Sequence, residues 1–301
     1  MSIVMDGKAL SEKIKEQIKQ EVKELNKKGI FPKLAVIMVG KNEASQVYVR
    51  NKTKACIETG IKCEEFLLNE QTTMEKLLNL IKELNDRKDI HGILLQSPIP
   101  EGLDIYEAFK TIDYRKDVDG FSPVNIGRLA LNKQTFISCT AHGIIKLLKE
   151  YSINLKGANV VILGRSNIVG KPLAQCLLNE DATVTICHSK TKNIEQITKN
   201  ADILISAVGK PKFVTSNMVK ENAVVIDVGI NKIENKIVGD VDFEEVSKIA
   251  SHITPVPGGV RTNDNSNASS QCCNCNKIFR RKCILSITVI LICKSCIFRK
   301  V

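Results

Sequence analysis

Apolar residues recur along this chain at two alternating spacings. Ile14, Ile18, Val22 and Leu25 repeat at the interval of one helix face, and Gly29 closes the segment. Leu34–Val39 is a short apolar run of strand length ended by Gly40. Residues 43–59 read as a second helix, Cys63–Leu68 as a strand, and Leu77, Leu80, Ile81 and Leu84 as a third helix before the strand 92–95. After a Pro-rich stretch, 97–100, and a polar run, 113–121, the rhythm restarts. Strands are expected at 159–163, 183–187, 203–206 and 224–228, with helices at 171–179 and 194–200. This alternation predicts an α/β fold of two α/β domains, the second a Rossmann-type parallel sheet, with a cleft between them. The expected division is 1–118, 119–260 and a separate tail, 261–301.

The 301 residues hold 44 Lys and Arg against 33 Asp and Glu, a net charge of +11. Residues 261–301 contribute eight of the basic residues and one acid, leaving 36 basic and 32 acidic residues, a net of +4, on the other 260. That is an ordinary surface, so no nucleic acid is expected as partner. The start of the chain shows no secretory h-region, and the longest mainly apolar stretch, 283–293, is far short of the roughly 20 residues that span a bilayer. A cytoplasmic protein without a membrane partner is expected. Six of the 11 cysteines lie in the tail; the other five sit among apolar neighbours and read as reduced thiols.

Candidate chemistry begins at the first strand of the second half. It runs into Gly164-Arg165-Ser166-Asn-Ile-Val-Gly170-Lys-Pro172, with Pro172 expected to open a helix. A strand, a glycine turn and a helix N-terminus together favour a pyrophosphate, although the spacing is not G-x-G-x-x-G and a plain βα turn has the same parts. After the next strand, where NAD sites present an acid, the chain reads Cys187-His-Ser189-Lys190-Thr-Lys192. Arg165, Ser189 and Lys190 can take a 2′-phosphate, which favours NADP; the alternative is a solvated basic loop. In the first half, Ser45, Tyr48, Lys52 and Cys56 share one helix face. Gln96 is expected to end a central strand, at the edge where α/β ligands bind, and Asp117-Val-Asp119 adds carboxylates. Taken singly, each of these is an ordinary structural residue.

Together they resemble the bifunctional methylenetetrahydrofolate dehydrogenase/cyclohydrolase family. The matching segments are YVRNK (48–52), GILLQSPIP (92–100), DVDGF (117–121), GRSNIVGKP (164–172), HSKT (188–191), DVGIN (227–231) and TPVPGGV (254–260). The resemblance covers about residues 2–260. It implies a homodimeric enzyme of one-carbon metabolism that holds tetrahydrofolate substrates in the interdomain cleft. It further implies that Tyr48, Lys52 and Gln96 do the chemistry, that Asp119 anchors the pterin, and that Ser45, Pro257, Gly258 and Gly259 lie at the folate. Gly164, Arg165, Ser166, Gly170, Ser189 and Ile230 would hold NADP. Because the methenyl product is a cation, Lys52 is expected to act as a neutral amine, bonded to Tyr48, when water attacks. Another NADP dehydrogenase would share the glycine turn but leaves YVRNK, Gln96 and DVDGF unexplained together.

The tail departs from the family, which normally continues Pro-Gly-Gly-Val with Gly-Pro-Met-Thr-Ile-Ala-Met-Leu. Here Arg261–Ala268 follows. The codons AGG ACC AAT GAC AAT AGC AAT GCT encode these eight residues, and read one base later they encode the family's segment. A one-base insertion after the Val260 codon is therefore expected, which makes an inactive or partly active copy of the enzyme the alternative function. The rival reading is a zinc site of Cys272, Cys275, Cys293 and Cys296 in a nucleic-acid-binding protein.

Overall fold

The computed structural model describes residues 2–260 apart from Asn235; the side chains of Glu43, Ala44, Val47 and Tyr48 also lie outside that description. In chain order the elements are β1 (Ile3–Val4), α1 (Gly7–Lys27), β2 (Lys33–Val39), α2 (Glu43–Thr59), β3 (Lys62–Leu68), α3 (Met74–Asp86), β4 (Gly92–Leu95), α4 (Ile105–Thr111), α5 (Pro123–Ala130) and α6 (Cys139–Glu150). There follow β5 (Asn159–Leu163), α7 (Gly170–Leu178), β6 (Thr183–Cys187), α8 (Ile194–Thr198), β7 (Ile203–Ser206), β8 (Val224–Asp227), β9 (Asn231–Ile233), β10 (Lys236–Val238), α9 (Phe243–Val246) and β11 (His252–Ile253).

Two compact units divide this chain. One holds Ser11–Cys139; the other holds residues 2–10 together with the chain from Thr140. The division falls 21 residues after the expected boundary at 118/119. Hydrogen bonds explain why α5 stays with the first unit: Asn125 Nδ2 donates to Asp117 Oδ2 at 2.9 Å, and Thr135 Oγ1 donates to Asn125 Oδ1 at 2.7 Å.

In the first unit β2 is the middle of a three-stranded parallel sheet, ordered β3-β2-β4. Its continuous apolar run suits a strand covered on both faces, and six of its seven residues are buried. Leu77, Ile81 and Leu84 of α3 pack with Ala35, Ile37, Ile93 and Leu95, each Leu or Ile side chain contributing about 1.5–3 kcal/mol when removed from water. Gln96 follows β4, which is an edge strand rather than the central one expected. Lys116 Nζ donates to the carbonyls of Leu84, Asn85 and Arg87 at 3.1, 2.7 and 2.7 Å. An ammonium at the α3 C-terminus, where unpaired carbonyls gather, fixes the start of the Asp117 loop.

The second unit is built on a six-stranded parallel sheet, ordered β1-β11-β8-β7-β5-β6. From β5 the chain moves to β6 on one side and then to β7 on the other, so the order reverses between β5 and β7. That reversal is where open α/β sheets leave a crevice at their carboxyl edge. Among the described residues no helix is long and apolar enough to cross a membrane.

Candidate active site

Helix α2 places the first set of polar groups. Asn42 caps it, its Oδ1 accepting from Ser45 N at 3.0 Å. Lys52 and Gln96 are only 5% and 1% exposed, and Lys52 Nζ donates to Gln96 Oε1 at 3.2 Å. Gln96 Nε2 donates to the Ser97 carbonyl at 2.6 Å, which leaves Oε1 as the end that faces the lysine. An amine held this far from water, with a neutral amide in front of it, is fixed where it can meet a ligand. Ser45 Oγ is buried and has no hydrogen-bond partner among the described residues. Tyr48 is one helical turn before Lys52, and its side chain lies outside the described structure.

The Asp117–Phe121 segment adds two carboxylates in different settings. Asp117 is buried and accepts from Gly120 N (3.0 Å), Ser122 N (2.7 Å) and Asn125 Nδ2 (2.9 Å), so it ties down the turn. Burial pushes its carboxyl up to about 6, against these donors. Asp119 is less well supplied: Cys139 Sγ lies 3.7 Å from its Oδ1. Burial raises its carboxyl as well, with the charge of Lys52 acting in the opposite direction. Both carboxyls belong to one unit with Lys52; Asp117 is committed to its own turn, whereas Asp119 is met by the Cys139 thiol.

In the second unit the turn after β5 is tight. Gly164 has φ +117°, and a Cβ there would meet the Ala207 carbonyl oxygen at 2.5 Å, across the β5/β7 crevice. A Cβ on Gly170 would meet the Gly164 carbonyl oxygen at 2.2 Å, so strand end and helix start touch backbone to backbone. Helix α7 opens at Gly170, two residues before Pro172, which was expected to open it. Ser166 Oγ accepts from Val169 N at 3.1 Å and Gly170 N at 3.4 Å. The hydroxyl thereby occupies amides that the sequence reading offered to a phosphate, and keeps its own proton for a ligand. Arg165, Ser166, Ser189 and Lys190 are exposed and Ile230 is partly buried. Arg165 has no ion-pair partner among the described residues. These groups follow β5, β6 and β8 at one edge of the sheet, as a dinucleotide requires. Pro257 and the two following glycines come after β11; Gly258 O accepts from Gly7 N at 3.1 Å.

Sequence reasoning missed the frame beneath this edge. Asp240 accepts from Val208 N (2.8 Å), Gly209 N (3.1 Å), Lys210 N (2.9 Å), Ser206 Oγ (3.2 Å) and Asn231 Nδ2 (3.0 Å). Asp227 accepts from Gly229 N, Asp240 N and Val241 N at 2.8–3.0 Å. Two buried carboxylates thus hold the loops after β7 and β8, and burial pushes Asp227 up to about 7. Asp227 stands in the DVGIN segment; Asp240 carries no local signal.

Fold and site define a two-unit α/β enzyme with a nucleotide-binding parallel sheet and a buried amine. Two family descriptions match the chain: the tetrahydrofolate dehydrogenase/cyclohydrolase catalytic domain over residues 5–119, and the NAD(P)-binding domain of the same family over residues 138–262. The bifunctional protein FolD of Campylobacter concisus is 54% identical over 258 residues, 85% of this chain and 91% of that protein. The crystal structure of the bifunctional enzyme FolD from Campylobacter jejuni is 49% identical with a TM-score of 0.86, covering 92% of this chain and 96% of that one. The Trypanosoma brucei enzyme, solved with NADP and an inhibitor, is 36% identical with a TM-score of 0.82, covering 92% and 95%. The chain belongs to the tetrahydrofolate dehydrogenase/cyclohydrolase family.

Proposed function

We propose that this chain performs two successive steps on a one-carbon folate. It oxidises 5,10-methylenetetrahydrofolate with NADP and then hydrolyses the methenyl product to 10-formyltetrahydrofolate. The observation that carries this reading is the buried Lys52–Gln96 pair in a chain whose other unit has the crevice and glycine turn of a dinucleotide site. The nicotinamide, when bound, supplies the hydride acceptor, so in the first step the protein mainly aligns two rings. Gln96 fixes the Lys52 amine. Lys52, with Tyr48, takes the proton of the water that attacks the methenyl carbon and returns it to the departing ring nitrogen. Asp119 binds the pterin, with Ser45 and the Pro257-Gly258-Gly259 segment as further folate contacts. Gly164 and Gly170 shape the nucleotide turn; Arg165, Ser166, Ser189 and Ile230 contact NADP, with Arg165 and Ser189 on the 2′-phosphate. Replacing Lys52 by Met is expected to slow methenyl hydrolysis by about 10³-fold, within the range of general acid–base catalysis, while NADP binding is kept. Unchanged decay of the methenyl absorbance in that variant removes Lys52 from the mechanism.

The reading includes a homodimer working in the cytoplasm, without nucleic acid or membrane as partner. Support comes from the family resemblance and from the near-balanced charge of residues 1–260. Sedimentation of the purified chain checks the dimer. Residues 261–301, the zinc-site cysteines among them, lie outside the described structure. We read this segment as translated out of frame, a reading supported by the end of the family match at residue 262. Sequencing the gene across codon 260 and assaying both reactions on this chain and a frame-restored one test the point. A clean in-frame match, with full activity, defeats it.

A further inference from the structure

Two thiols lie beside the proposed catalytic helix without a role in the chemistry. Cys56 is fully buried in the last turn of α2, and Cys63 is partly exposed near the start of β3, an edge strand. The turn between them is fixed. Gly60 adopts φ +82°, Gly60 N donates to Ile57 O at 3.0 Å and Ile61 N donates to Cys56 O at 2.8 Å. This pair of bonds is a Schellman cap, which reverses the chain and lays β3 back along the helix that it left. Cys63 Sγ consequently lies 3.6 Å from Thr53 Oγ1, one turn before Cys56 on α2. The Cys63 thiol is held below the value of a free thiol, chiefly by the neighbouring Cys56 thiol, with burial acting against it. The positive charge of Lys52 acts in the same direction as the Cys56 thiol. Neither cysteine is in a disulfide in the structure.

We propose that Cys63 and Cys56 are a hydroperoxide-sensitive dithiol, with Cys63 as the attacking sulfur and Cys56 as the resolving one. The Cys63 thiolate attacks the peroxide oxygen; the O–O bond breaks, the sulfur becomes a sulfenic acid, and the displaced alkoxide or hydroxide takes a proton from solvent. Cys56 then attacks the Cys63 sulfur, the S–O bond breaks, and water leaves with the Cys56 proton. The peroxide is reduced and the two thiols are oxidised to one disulfide. Lys52 is one turn before Cys56 on the same helix, so the crosslink pulls the catalytic amine out of register with Gln96 and slows hydrolysis. This last consequence rests on the role proposed for Lys52.

The test uses the full chain, reduced and then treated with hydrogen peroxide. Unreduced tryptic digests are expected to show residues 55–62 linked to 63–76, a species lost with dithiothreitol and absent from Cys63→Ser. In Cys56→Ser the sulfenic acid on Cys63 persists and is trapped by dimedone. Methenyl hydrolysis by the untreated Cys63→Ser variant stays at the parental rate. Peroxide lowers the parental rate by an order of magnitude, as misplacing a catalytic group does, and leaves Cys63→Ser unaffected. Absence of the linked peptide, or dimedone on other cysteines with Cys63 unlabelled, overturns the dithiol. A linked peptide with an unchanged rate overturns its coupling to Lys52. Failure of both the reduced parent and its frame-restored form to hydrolyse the methenyl compound refutes the Lys52 reading instead, and the peptide map still decides on the thiols.

Discussion

In the unit that carries Lys52, the amine and the amide meant for chemistry are buried and already engaged with each other. Lys52 faces Gln96, Gln96 is locked to the Ser97 carbonyl, and Asp117 grips its own turn. In the nucleotide unit the opposite holds. Arg165, Ser166 and Ser189 stand in solvent, while the buried carboxylates, Asp227 and Asp240, bind backbone amides of the loops. Proton transfer needs a dry, fixed donor, whereas a charged nucleotide can order exposed side chains as it binds. One unit therefore invests its burial in reacting groups, the other in the scaffold beneath the contact groups.

Removing the pairing in the first unit has the largest expected effect. Gln96→Leu leaves the Lys52 amine without its buried hydrogen-bond partner, and such an orphaned polar group is costly to keep in place. Methenyl hydrolysis is expected to fall by about 10³-fold, with NADP affinity unchanged. A loss in nucleotide affinity of similar size would erase the contrast between the units.

Gly164→Ala probes the other side. The new methyl would meet the Ala207 carbonyl oxygen at 2.5 Å, and φ +117° is strained for alanine. NADP affinity is expected to drop by about 100-fold, the cost of pushing apart two strand ends at the crevice, read by nucleotide titration. Hydrolysis of supplied methenyl compound should change far less.

Legibility in the sequence followed the same division. The buried β2 run and the α2 face bearing Ser45, Lys52 and Cys56 were readable because burial imposes periodicity on local sequence. Gly164 was readable because a tight turn demands a residue without a Cβ. Strands β1 and β11 were not, since two residues carry no periodicity and their pairing, Ile3 with His252 and Val4 with Ile253, joins opposite ends of the described chain. Nor could the edge position of β4 be foreseen, because sheet order is a tertiary property. Asp240 escaped for a related reason: its five donors come from residues 206–210 and 231. A buried acid serving distant amides looks, in sequence, like any other acid. The polar run at 113–121, where the domain junction was expected, forms a buried hydrogen-bonded turn, and the compact units part at 139/140.

The scaffold role of Asp227 predicts a pH effect on stability. Burial raises its carboxyl from 3.8 to about 7. A folded value above the unfolded one means that folding favours the protonated form. The stabilisation is complete below about 3.8 and is lost as pH rises through about 7. Between pH 5 and pH 8 this group alone is expected to remove about 2 kcal/mol, seen as a falling urea midpoint of the nucleotide unit. A midpoint that rises over this range would place Asp227 among groups held ionised by their three amide donors.

The smallest effect is expected at Arg165, and it tests what exposure implies. The side chain is in solvent and has no ion-pair partner among the described residues, so its removal should leave folding and the urea midpoint unaltered. A guanidinium that meets a phosphate only in the complex contributes about one charge-assisted hydrogen-bonded pair, screened by water. Arg165→Ala is therefore expected to raise the KM for NADP by about tenfold, to leave the KM for NAD nearly unchanged, and to weaken the salt dependence of NADP binding. Equal losses for both nucleotides would mean that Arg165 shapes the turn instead of reading the 2′-phosphate. The nucleotide unit would then owe its selectivity to Ser189 and Lys190, whose loop after β6 offers no carboxylate to the ribose.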